Sequence, residues 1–326
     1  MKGEHTKKIF ILGCERSGST WLANIFDANS AVISYLEPFA DYTNLFLSFP
    51  PRYIHIDKAD DRVVKRVAKG IEGLYGMKYP FLYKPGRNSH LIKIDERILY
   101  PRSTLHRKEI YRLLNLNQER VVPKNGIKDI TVEIIKELRL NFKVGLLKQM
   151  FPEVKVLVSI RHPVLQVDSI LSWFRKGNLG ELRRSLEHFF TSIKTQKRFE
   201  SFHLLLRSSD LDNEKTALYL YWLINYEVLL EDLEKNDVEC EVIKNEDLVR
   251  NGLNALGASF SEYIDESVLK YFENSSSGSD TLSSPTSTNR DSKQYLIEKM
   301  NLLNRKDAIF EALIEKHDFK AVGFYR

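Results

Sequence analysis

The sequence predicts a three-layer α/β/α protein in which a central, mainly parallel sheet carries helices on both faces. Three observations point there. An apolar run at residues 8–12 passes through a glycine-bearing turn straight into an apolar-periodic segment. A continuous apolar run at residues 155–160 reads as a buried strand of the parallel kind, and residues 238–243 read as another strand. Long segments with helical spacing separate these strands, and such alternation builds parallel sheets through right-handed crossovers. With 326 residues, 43% of them hydrophobic and 29% charged, the chain reads as one large unit spanning residues 1–326.

Taken in order, the first element is the strand Lys8-Ile9-Phe10-Ile11-Leu12, followed by Gly13-Cys14-Glu15-Arg16-Ser17-Gly18-Ser19-Thr20-Trp21. Gly13 and Gly18 permit backbone angles other residues resist, so the N–H groups of Glu15 to Thr20 can converge on one hollow at a helix N-terminus, which favours phosphate. The spacing matches the phosphate-loop pattern G-x-x-x-x-G-K-[ST] at every fixed position but one, because Ser19 stands where the lysine belongs. The expected fold is therefore of the phosphate-loop type. Arg16 supplies a cation inside the turn, and a guanidinium grips an anion through a planar fork rather than as a point charge.

A short β-like run at residues 31–39 comes next, ending at Glu37-Pro38, where the proline biases Glu37 away from helical angles. Residues 40–118 are rich in Tyr, Phe, Arg, Lys and Pro, with a helical pattern only at 57–74. This reads as an insertion covering the site, since long irregular connections are usually functional. From Arg52 to Arg112 there are 15 Lys/Arg against 7 Asp/Glu, a local +8; the whole chain carries +5, which leaves −3 elsewhere. Alternation resumes with a strand at 120–129. Thr131 is expected to cap a helix whose apolar positions are Ile134, Ile135, Leu138, Phe142, Leu146, Leu147 and Met150. The strand at 155–160 ends at Arg161-His162-Pro163. Helices are expected at 164–174, 180–206 and 214–235, a strand at 238–243, a Ser/Thr-rich loop at 274–293 and a last helix at 294–316.

Arg16-Ser17-Gly18-Ser19-Thr20-Trp21 resembles the 5′-phosphosulfate loop of sulfotransferases that use 3′-phosphoadenosine 5′-phosphosulfate (PAPS), a family in which a serine at position 19 is normal. Arg161 at a strand end, with Ser169 eight residues later, resembles the family's 3′-phosphate clamp. The resemblance implies that Arg16, Ser17, Gly18, Ser19, Thr20, Trp21, Arg161 and Ser169 bind PAPS, with Trp21 stacking on adenine. Tyr35-Leu36-Glu37-Pro38 is similar to the Tyr-Glu-Pro region of carbohydrate sulfotransferases, which implies Glu37 as the base that deprotonates an acceptor hydroxyl. Ile127-Lys128-Asp129 resembles a strand-end motif whose lysine approaches the reacting groups. Lys128 would then stabilise the leaving phosphate or the sulfonyl group, with Asp129 as the alternative base. Trp222, Asn225 and Glu246-Asp247-Leu248 resemble framework positions. The Arg-Lys-Gly triplet of cytosolic members is missing, and Arg290 and Lys293 are its candidate substitutes.

The implied activity is in-line transfer of a sulfuryl group from PAPS to a hydroxyl of a saccharide or glycolipid, leaving PAP, with no metal. The basic, aromatic insertion suits an anionic saccharide or glycolipid head group. Two other classes compete. A phosphate-loop kinase or NTPase would need a lysine at position 19 and a Mg²⁺-holding acid after an apolar run, which residues 91–95 imitate. A binding module for anionic glycans would use the basic segment alone. Cys14 and Cys240 do not make a disulfide framework, the histidines lack zinc-ligand spacing, and no apolar run approaches membrane-spanning length. A cytoplasmic enzyme with no nucleic-acid partner is expected.

Overall fold

The described part of the computed structural model comprises residues 7–37, 51–65, 67–68, 84–85, 131–175, 179–277, 307–317 and 319–324. Its sheet has the order β3-β2-β4-β1-β5-β6, formed by β1 (Lys7–Gly13), β2 (Val32–Leu36), β3 (Lys84–Pro85), β4 (Val132–Lys136), β5 (Lys155–Ile160) and β6 (Glu239–Lys244). All neighbours are parallel except β2 and β3. Side chains alternate between the faces with the strand period. Ile9 and Ile11 pack with Leu22, Ile25 and Phe26 of α1 (Ser19–Phe26), whereas Phe10 and Leu12 face the opposite core. That second core is filled by α2 (Val144–Met150), α3 (Pro163–Arg175), α4 (Leu179–Lys194), α5 (His203–Ser208) and the long α6 (Glu214–Lys235). Helices therefore cover both faces, as a parallel sheet requires.

Register places the functional ends together. Gly13 is opposite Ser159, both Ile11 and Leu36 are opposite Lys136, and Ile160 is opposite Lys244. The loop after β1, the turn after β2 and the ends of β4, β5 and β6 thus share one carboxyl edge, where open α/β sheets take ligands.

One expected element is corrected. The helix predicted from Thr131 is instead β4, then a 3₁₀ turn (Leu138–Leu140), with helix only from Val144. The β-branched residues Val132, Ile134 and Ile135 insert between β1 and β2. The charged Glu133 and Lys136, which imitate a helix's polar face, are buried beside cations and anions of neighbouring strands: Lys8 Nζ lies 3.0 Å from Glu133, and Lys136 pairs with Glu37. The helix predicted at 180–206 is also broken, into α4, a 3₁₀ segment (Lys197–Phe202) and α5. Gln196 interrupts it in extended conformation, its amide donating to Tyr53 O and Ser192 O and accepting from His55 N–H.

Asn274 to Ser277 belong to α7 (Glu266–Ser277), and the remainder of the Ser/Thr-rich loop lies outside the described residues. The chain's last described α-helix begins at Ala308, where Asp307 accepts from the N–H groups of Ile309 and Phe310. The expected strand at 120–129, most of the insertion, and Lys128, Asp129, Arg290 and Lys293 also lie outside the described residues. Among the described residues no helix is long and apolar enough to cross a membrane.

Candidate active site

The turn from β1 to α1 is shaped by positive-φ residues. Gly13 (φ 147°), Arg16 (φ 64°) and Gly18 (φ 94°) reverse the chain within six positions and deliver Gly18 as the N-cap of α1. A Cβ on Gly18 would overlap the Asn245 side-chain amide, and one on Gly13 would overlap the Ser159 carbonyl, so β5 and the residue that follows β6 press on the loop from behind. Polar side chains complete this support. Asn141 bonds both the N–H of Gly13 (3.2 Å) and its carbonyl (2.8 Å). The Tyr226 hydroxyl accepts from Cys14 N–H and donates to Ser159 O, Asn245 and Ser159 each donate to Ser17 O, and Gln166 donates to Glu15 O. Ser17 and Ser19 are buried and Thr20 is exposed. Ser19 and Thr20 occupy the first helical turn, whose N–H groups have no intrahelical acceptor.

The two elements to which the sequence resemblance assigns phosphate binding meet here. Arg16 Nε donates to Ser169 Oγ at 3.1 Å, Arg161 Nη1 donates to Arg16 O at 3.3 Å, and the Arg16 guanidinium lies 5.2 Å from the Trp173 ring centroid. Trp222 Nε1 holds Arg161 O (3.1 Å) and Glu246 accepts from His162 N–H (2.9 Å), so the framework residues fix the strand-end turn that aims Arg161. Burial pushes the His162 imidazole down to about 4, which keeps it neutral near pH 7 and suits a structural role. Trp21 is half-buried against Phe272, ring centroids 5.5 Å apart.

Across β4 stands Glu37. Its N–H donates to Lys136 O at 2.7 Å, its backbone is left-handed (φ 55°), and its carboxylate pairs with the buried Lys136 ammonium. Lys128 lies outside the described residues, and Lys136 is the lysine at the carboxyl end of β4, the strand beside β1. Sequence reasoning missed it because the run 131–136 was assigned to a helix; its β-branched content was the available signal. Also unforeseen are Asn141, Asn245, Gln166 and Tyr226, whose roles depend on contacts between elements distant in the chain. Among the described residues no His, Cys, Asp or Glu cluster of metal-holding type occurs.

A parallel sheet whose carboxyl edge joins a glycine turn, two arginines and a carboxylate–ammonium pair defines a phosphate-loop α/β enzyme. The sulfotransferase family model matches residues 8–235, and the chain belongs to that family. The kinase reading is thereby set aside. Similar solved structures include the sulfotransferase domain of the Synechococcus PCC 7002 olefin synthase (17% identity, 100% of this chain and 98% of that chain covered, TM-score 0.45). Two mycobacterial sulfotransferases are also similar: one from Mycobacterium avium (12%, 98% and 78%, TM-score 0.39) and one from Mycobacterium tuberculosis H37Rv (12%, 84% and 72%, TM-score 0.40). No curated protein matches the chain.

Proposed function

We propose that this sulfotransferase takes its sulfuryl group from PAPS and delivers it to a hydroxyl of a saccharide or glycolipid. The observation that carries the donor assignment is the meeting of Arg16, Arg161 and Ser169 at one end of the phosphate loop. An enzyme of ATP has no 3′-phosphate to hold, whereas two arginines and a hydroxyl suit a nucleotide phosphorylated at both ends. In this reading Arg16 and the amides of residues 17–20 hold the 5′-phosphosulfate, Arg161 and Ser169 hold the 3′-phosphate, and Trp21 stacks on adenine. Glu37 takes the acceptor hydroxyl's proton as the oxygen attacks sulfur in line. The bond from sulfur to the 5′-phosphate oxygen breaks, and the electron pair departs with that oxygen. Lys136 aims the Glu37 carboxylate and supplies the strand-end positive charge expected of Lys128, near the developing negative charge. The aromatic and basic composition of residues 40–118 supports the acceptor class.

Glu37→Gln, assayed for turnover beside affinity for adenosine 3′,5′-bisphosphate, tests the assignment. Turnover is expected to fall ~10²- to 10⁴-fold while nucleotide affinity stays near wild type. Retained turnover removes Glu37 as base.

A further inference from the structure

The phosphate loop contains an acid. Glu15 sits between Cys14 and Arg16, and its side chain is 36% exposed, on a loop shaped to receive an anion. An unpaired carboxylate there would repel the ligand. It is not unpaired: Arg52 forms an ion pair with it, the Tyr221 hydroxyl donates to its Oε2 at 2.6 Å, and Arg52 Nη2 donates to the Tyr221 hydroxyl at 3.1 Å. Each member of this triad touches the other two. Burial pushes the Glu15 carboxyl up, and Arg52 together with the Tyr221 hydroxyl more than reverses this, holding it below the usual carboxylate range.

Arg52 is itself anchored. The buried Lys143 ammonium donates to its carbonyl at 2.8 Å, and its guanidinium lies 5.1 Å from the Tyr53 ring centroid. Tyr53 in turn packs edge-on against Phe189 and Tyr221. Glu15 is thus fixed at its carboxylate by Arg52 and at its carbonyl by Gln166 (2.8 Å), and the next residue is Arg16 in its left-handed conformation. The basic segment therefore contributes at least one cation that is not merely solvated surface.

We propose, resting on the donor reading above, that Arg52 is a positioning residue for donor binding: with Tyr221 it masks the Glu15 carboxylate, so that the phosphate loop presents no unpaired negative charge to the nucleotide. Arg52 acts without touching the nucleotide. It also belongs to the stretch between the Glu37 turn and β4, so the donor loop is tied to the acceptor side of the chain.

The test is a double-mutant cycle read by calorimetry with adenosine 3′,5′-bisphosphate and by donor KM against kcat. Arg52→Met unmasks a negative charge and is expected to weaken binding ~10- to 100-fold, since like charges brought together repel, with kcat at saturating donor nearly unchanged. Adding Glu15→Gln removes that charge and is expected to restore affinity to within ~3-fold of wild type, as pair-specific coupling requires. Glu15→Gln alone is expected to bind no worse than wild type. Wild-type affinity in Arg52→Met, or an Arg52→Met/Glu15→Gln variant as weak as Arg52→Met, overturns the masking role while leaving the donor assignment standing. Should Arg52→Met not fold, weakened binding in Glu15→Gln overturns the proposal and full binding supports it. Absence of binding by the wild-type chain overturns the donor reading, and this one with it.

Discussion

The phosphate loop and the Glu37 turn stand at strand ends on either side of β4, and both contain a non-glycine residue at positive φ, Arg16 and Glu37. Such conformations cost about 1–3 kcal/mol and persist where surroundings impose them. The surroundings differ. Behind the loop, Asn141, Ser159, Gln166, Tyr226 and Asn245 come from separate elements and bond successive backbone groups. At the other end, Lys136 serves Glu37 twice, through its carbonyl and through its ammonium. The loop is built as a rigid mould of backbone, and the Glu37 turn as a charge pair on a strand terminus. Under the proposed function, rigid backbone suits a fixed nucleotide, while a side-chain pair can reorganise as a proton arrives.

The largest blow to that contrast is a change in the mould itself. Gly18→Ala places a Cβ against Asn245 at φ 94°, and nucleotide affinity by calorimetry is expected to fall by ~100-fold or more, about 3 kcal/mol. Retained affinity would show that the loop is softer than its packing implies. Next comes Asn141→Ala, which strips the partners from Gly13's N–H and carbonyl in a buried site. A stability loss of about 1–3 kcal/mol is expected in urea unfolding, with kcat altered less than nucleotide affinity.

The smallest effect concerns the ground between the two ends. Lys143 is fully buried, its ammonium bonded to the carbonyls of Arg52 and Arg139, and burial lowers it from its ordinary 10.5 to about 7. Between those values the unfolded chain binds more protons than the folded one, so this residue makes stability rise with pH, by at most ~1.4 kcal/mol per pH unit. Below pH 7 both states are protonated and its contribution to the slope vanishes. Urea midpoints measured from pH 7 to 10 are expected to climb less steeply in Lys143→Met than in wild type; parallel slopes would contradict the lowered value.

The two central strands β1 and β5 were legible because their runs are apolar and buried: residues 8–12 and 155–160 need no knowledge of their neighbours to be read. β6 lies at the sheet edge with Glu239 exposed and Glu241 half-buried, and was legible from its place after a long helix. The Arg16 loop was legible because glycine spacing is local chemistry, and the placement of Arg161 and Ser169 beside it because the pair resembles a known pattern. β4 was not, since Glu133 and Lys136 are charged residues that only a cross-strand partner makes tolerable inside a sheet. Glu15, Arg52 and Tyr221 were hidden for a related reason: 37 residues separate the first two, 169 the second pair, and no periodicity links them.

β3 lies antiparallel beside β2, with Leu36 opposite Lys84, while β4 flanks β2 on its other side. The chain therefore leaves the sheet at Glu37, touches it again next door, and re-enters beside the same strand. Closing a longer excursion between fixed ends costs only slightly more entropy than closing a short one. Descendants of this gene can lengthen, shorten or replace that excursion without shifting Glu37 or Lys136, so under the proposed function acceptor preference is free to diversify while the donor stays the same.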